Sequence, residues 1–116
     1  MGITKKLDDK TTIIIKKQDN GKEISIKCGD VIQIELAAMG AAGYDWHIDN
    51  LDMEHLELIS EETRAVSEGK IGAPVIAIRR FKAKEKGPTE IKMDHYRVWE
   101  GKEKETENFS IKLTIE

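Results

Sequence analysis

VIQIELAAMGAAGYDWHI, residues 31–48, holds two period-two stretches around a run of small residues. In the first, Ile32, Ile34 and Leu36 alternate with Gln33 and Glu35; in the second, Tyr44, Trp46 and Ile48 alternate with Asp45 and His47. Successive side chains of a strand point to opposite faces, so each stretch predicts a strand with one apolar and one polar face. Between them AMGAAG (38–43) leaves the backbone nearly bare. That suits a tight turn, or a place where another molecule's surface comes very close.

The same period recurs outward in both directions. Strands are predicted at TTIIIKK (11–17), EISIK (23–27), LELIS (56–60), VIAIRRFKA (75–83), TEIKMDHY (89–96) and NFSIKLTIE (108–116). In the last, Phe109, Ile111, Leu113 and Ile115 alternate strictly with polar residues. Asn20-Gly21 predicts a type I′ hairpin turn between the first two strands, Gly29-Asp30 a second tight turn, and KGPT (86–89) a third. EETRAVSEG (61–69) has few apolar residues and reads as a loop or at most one helical turn. Seven to eight short strands separated by turn signals predict an all-β fold, an immunoglobulin-like antiparallel β-sandwich. Residues 1–10 read as an N-terminal extension, expected to be flexible, and 11–116 as a single domain. Trp46 shares a face with Tyr44 and Ile48 and is expected in the core.

Composition excludes several function classes. The chain has 116 residues and a net charge of −3 with both signs interspersed, so no basic stripe points to nucleic acid or to an anionic membrane. No apolar run is long enough to cross a bilayer, and the opening MGITKKLDDK lacks the apolar centre of a signal peptide. The expected location is therefore the cytoplasm, or a secreted or periplasmic one if a leader has been removed. Cys28 is the single cysteine, which rules out an internal disulfide, and KCGD around it carries no nucleophile signature. His47, His55 and His95 show no metal-ligand spacing, and His95, in phase with Ile91 and Met93, reads as a partly buried histidine. With no paired acid and base, no catalytic residue, metal or other cofactor is expected.

Three segments break the alternation: AMGAAG (38–43), SEGKIGAP (67–74) and YRVWEGKEKETEN (96–108). Connections that follow strands of the same direction gather at one end of a sandwich, so these three are expected to share an end. Their residues carry a resemblance. MGAAGYDW keeps Gly43, Tyr44 and Trp46 of the pattern Asn-Pro-Thr-Thr-Gly-(Tyr/Phe)-x-Trp. GKIGAPVIAIRRF, from Gly69, is a Gly-punctuated loop before an apolar strand, with Gly72 as the best counterpart. RVWEG keeps Arg97, Trp99 and Gly101 of Arg-Pro-Trp-x-Gly, with Val98 in place of proline. In order and spacing, from the TTIII strand to the last, the chain resembles the chagasin family, proteinaceous inhibitors of papain-like cysteine proteases.

The resemblance implies reversible occlusion of a papain-like cysteine protease by three loops (38–43, 67–74 and 97–106), with the inhibitor a monomer. The implied contact residues are Met39, Gly40, Ala41, Ala42, Gly43, Tyr44, Gly72, Ala73, Pro74, Arg97 and Trp99. A thin wedge that fills the cleft without offering a carbonyl to the thiolate and oxyanion donors is not cut. Trp99 is the expected anchor; its other reading is a lid folded onto the core. Arg97 either supports its loop from within or pairs with an acid on the enzyme. Met39-Gly40 in place of Asn-Pro removes a φ restriction, Ala41-Ala42 lack threonine hydroxyls, and Val98 loosens the third loop, so a costlier docking is expected. EGKEKETEN is expected to be mobile around Trp99. The alternative function is a non-inhibitory module that binds a protein, peptide or glycan with the same end.

Overall fold

The computed structural model describes residues 11–39, 42–65 and 74–116. The predicted N-terminal extension and the candidate residues Gly40, Ala41, Gly72 and Ala73 lie outside the described residues. Among the described residues eight strands form: β1 (Thr12–Lys16), β2 (Glu23–Ile26), β3 (Val31–Ala38), β4 (Tyr44–Ile48), β5 (Leu56–Ala65), β6 (Val75–Ala83), β7 (Gly87–Arg97) and β8 (Glu107–Ile115). They make two four-stranded sheets, β1-β3-β6-β5 and β2-β8-β7-β4. The inward residues predicted from the alternation meet between the sheets. Ile32, Ile34, Leu36, Leu56 and Phe81 of one pack against Trp46, Ile91, Met93, Phe109, Ile111 and Leu113 of the other, all buried.

The pairing is antiparallel except at two edges, where β1 runs parallel to β3 and β2 parallel to β8. Here the expected hairpin is corrected. β1 and β2 lie in different sheets, and the chain crosses between them through a 3₁₀ turn at Lys17–Asp19. Asn20 has φ −54° and ψ 129°, Gly21 has φ +84°, and the Lys22 N–H donates to the Asp19 carbonyl at 3.0 Å. That is a type II turn; type I′ needs positive φ at both central residues. The turn is stitched to β8 instead: the Gly21 N–H donates to the Ser110 carbonyl, and the Ser110 N–H to Asn20 Oδ1. Gly29 (φ +93°) does make a tight turn, again between strands of opposite sheets.

A second correction concerns EETRAVSEG. Residues 61–65 continue β5 rather than forming a loop or helical turn. A register shift between Leu58 and Ser60 changes the phase, so Leu56 and Leu58 face Ala83 and Phe81 while Glu61 comes opposite Arg79. Beyond this bulge the inward positions Glu61 and Thr63 are polar, which hides the strand from a search for alternating apolar residues.

Candidate functional site

Strand directions bring the feet of the three irregular segments to one end. Ala38, the last residue of β3, pairs with Val75, the first of β6, and Val75 pairs with Ala65, the last of β5. In the other sheet Tyr44, opening β4, pairs with Arg97, closing β7, and β8 begins beside His95. The feet of the segments after β3, β5 and β7 are therefore neighbours.

The first segment closes on the Met39 carbonyl, which accepts from Ala42 N–H (3.0 Å) and Tyr44 N–H (3.2 Å). Gly43 follows at φ +88°, a conformation that disfavours any side chain. A Cβ there would also collide with the Trp99 indole, whose Cζ2 lies 2.9 Å from the position it would occupy. So the first and third segments touch, with the indole on bare backbone. Trp99 remains 68% exposed, which corrects the reading of it as a lid on the core. Val98, Met39 and Ala42 are exposed in the same two segments, and Pro74 is exposed at the end of the second irregular segment.

Beneath the indole a stack leads inward. The Arg97 guanidinium sits 4.5 Å from the Tyr44 ring centroid and 5.9 Å from that of Trp99. Tyr44 stacks on His95 at 5.1 Å, and His95 meets Trp46 at the same distance. Trp46 is buried, as expected, and its indole N–H donates to the Ala37 carbonyl at 2.8 Å. His95 is buried, with Nδ1 2.7 Å from Thr106 Oγ1 and Nε2 unpartnered. Burial holds its pKa below the ordinary 6.5, against the pull of Glu107 and Asp45. Arg97 supports its loop from within, over Tyr44 and 3.5 Å from Glu100 Oε2.

The charged tail of the third segment, expected to be mobile, is tied down. Glu100 and Gly101 N–H groups donate to the Arg97 carbonyl, and a 3₁₀ turn follows at Lys102–Lys104. Lys102 Nζ reaches Asp49 at 3.0 Å and Asp94 at 3.6 Å, on the outer face of β4 and β7. Burial, then Glu105, raises the Asp94 carboxyl above its ordinary value, while the Asp49 hydrogen bond raises Lys102.

Residues that spacing did not single out complete the end. Arg79, in β6, is buried in phase with Ala77 and Phe81 and pairs with Asp45 and Glu61. Its inward phase in VIAIRRF was the available signal. Away from this end, Asp52, Glu54 and His55 come together without metal-ligand spacing in the chain. Asp52 Oδ2 is already met by His55 Nδ1 and Thr89 Oγ1, both at 2.8 Å, which ties the β4–β5 connection to β7.

An immunoglobulin-like sandwich with three strand connections gathered at one end is the class these features define. Residues 25–113 match the chagasin family peptidase inhibitor I42, and the chain belongs to that family. Among solved structures it is similar to the cysteine protease inhibitor EhICP2 from Entamoeba histolytica, at 23% identity over 92% of this chain and 97% of that one, TM-score 0.82. It is also similar to amebosin, at 20% identity over 90% and 97%, TM-score 0.75. PbICP-C, solved in complex with falcipain-2, matches at 16% identity over 90% and 99%, TM-score 0.64. No curated protein matches by sequence.

Proposed function

We propose that this protein is a reversible inhibitor of papain-like cysteine proteases that fills the active-site cleft with the end carrying Met39, Ala42, Gly43, Pro74 and Trp99. The observation that carries this reading is the seat of Trp99 on Gly43: an exposed indole and a strip of bare backbone form one ridge. With only a methyl group at Ala42 and no side chain at Gly43, this part of the loop is thin enough for a narrow cleft. The indole offers a large rigid apolar surface of the kind that dominates interface energetics. Membership of a peptidase-inhibitor family and the likeness to inhibitors of cysteine proteases support the target class.

Gly40, Ala41, Gly72 and Ala73 belong to the same proposed contact set on sequence grounds. The ridge offers no activated nucleophile and acts by occupancy. Titrating active-site-counted papain with the purified protein tests the reading. Stoichiometric loss of activity, recovered on dilution, is expected; full activity at high micromolar inhibitor would refute inhibition and leave a binding module of another kind.

A further inference from the structure

We infer that Arg79 is a positioning residue for the inhibitory end, holding the feet of the first and second loops together through Asp45 and Glu61. The inference rests on the proposed inhibition and adds to it a residue outside the proposed contact set. Arg79 lies on the inner face of β6 between Ala77 and Phe81, where a sandwich ordinarily places an apolar side chain, and it is only 4% exposed. Its guanidinium reaches acceptors on three strands. Nη2 donates to both Asp45 carboxylate oxygens at 3.2 Å and to the Trp46 carbonyl at 3.1 Å. Nη1 donates to the Glu62 carbonyl at 3.4 Å and to its own neighbour's carbonyl, Ile78, at 3.3 Å. Nε lies 3.2 Å from Glu61 Oε2.

The placement of these strands gives the cluster its consequence. β4 is the edge of one sheet and β5 the edge of the other, with no hydrogen-bonded ladder between them. Arg79 closes that open side. Asp45 stands two residues after Gly43, and the Trp46 N–H donates to Asp45 Oδ1 at 2.8 Å, so the carboxylate is fixed to the foot of the first loop. Glu61 and Glu62 lie on the half of β5 that leads into the second loop. Stability alone is a weak reason for such an arrangement, because a buried ion pair is often no more stabilising than an apolar group of equal volume. What the cation supplies is fixed distance and direction between the β4 foot of the first loop and the β5 foot of the second, which share no backbone ladder.

Loss of that fix leaves the fold standing and lowers the fraction of molecules whose loops are docking-ready, which slows association more than it speeds dissociation. Asp45 and Glu61 are half exposed, so Asp45→Asn and Glu61→Gln leave no buried carboxylate unpaired, and in each single variant the other carboxylate still counters the buried guanidinium. The test measures association and dissociation rates against papain for these two variants, their double variant, Arg79→Lys, and Arg80→Gln as a control. Arg80 bonds Gln33, Ser60 and Glu62 on the outer face, so it meets β5 from the other side and has no bond to β4. The expected result is association slowed roughly tenfold in the double variant, out of proportion to any fall in its melting temperature. Arg79→Lys, which keeps the charge but not the fork of donors, should fall between the double variant and wild type, and Arg80→Gln should match wild type. Wild-type association in the double variant, or losses that only track melting temperature, would overturn the inference. Failure of the wild-type protein to inhibit would instead refute the proposed function.

Discussion

Gly43 and Trp99 are two halves of one feature, and each can be tested by itself. Gly43→Ala forces a side chain into positive φ, at a cost of about 1–2 kcal/mol, and drives its methyl group into the indole. The expected outcome is a lower melting temperature together with weaker inhibition, because the indole must leave its seat. Trp99→Ala should separate the two effects. With the ring mostly in solvent, thermal unfolding should barely change while the inhibition constant worsens by about 2 kcal/mol or more. Equal losses in melting and affinity would mean that the indole works as packing rather than as an anchor. Arg97 explains how an exposed ring keeps its orientation: the guanidinium lies over Tyr44 and toward Trp99, and its cation–π contact links the ridge to the buried His95 and Trp46.

At the scale of strands and loops, the third loop is the element whose order depends most on charge. Lys102 pins it to Asp49 and Asp94, so Lys102→Met should raise backbone hydrogen exchange across 98–106 and weaken inhibition a few-fold, with little change in global unfolding. An unchanged exchange pattern would show that the Arg97 carbonyl contacts alone hold the loop. The element scale also shows what could be read in advance. β4 and β8 stand where alternation put them, because each carries an uninterrupted apolar face toward one shared core, and β6 stands in place too although Arg79 breaks its inner face. The far half of β5 was illegible: a bulge changes its phase, and its inward Glu61 answers Arg79 instead of an apolar neighbour. Asn20-Gly21 marked a turn correctly but not its type, since the turn's partner is Ser110 on β8, ninety residues away. For the candidate site, alternation flagged the irregular segments and Trp99. The Arg79 cluster escaped because its members meet only once two edge strands face each other.

For the molecule as a whole, the inhibitory end and the core share a titrating group, which makes stability and pH inseparable. His95 is buried neutral between Tyr44 and Trp46, and desolvation holds its pKa below 6.5. Above 6.5 neither the folded nor the unfolded chain protonates this ring, and its contribution is fully present. As pH falls below 6.5 the unfolded chain takes a proton that the folded chain refuses, so stability declines until the lowered folded value is passed. Asp94 works the other way in a more acidic range. Its raised pKa favours the folded state at acid pH, and that contribution is lost as pH rises from 3.8 through the raised value. The two can be separated by difference. Between pH 7.5 and 5 the wild-type melting temperature should fall more steeply than that of His95→Gln, which keeps a polar group near Thr106 but cannot titrate. Parallel curves would mean that His95 is not the group responsible. Since His95 also carries the Tyr44 ring on which Arg97 rests, the same variant should flatten the pH dependence of inhibition, a readout that a purely structural histidine far from the ridge would leave alone.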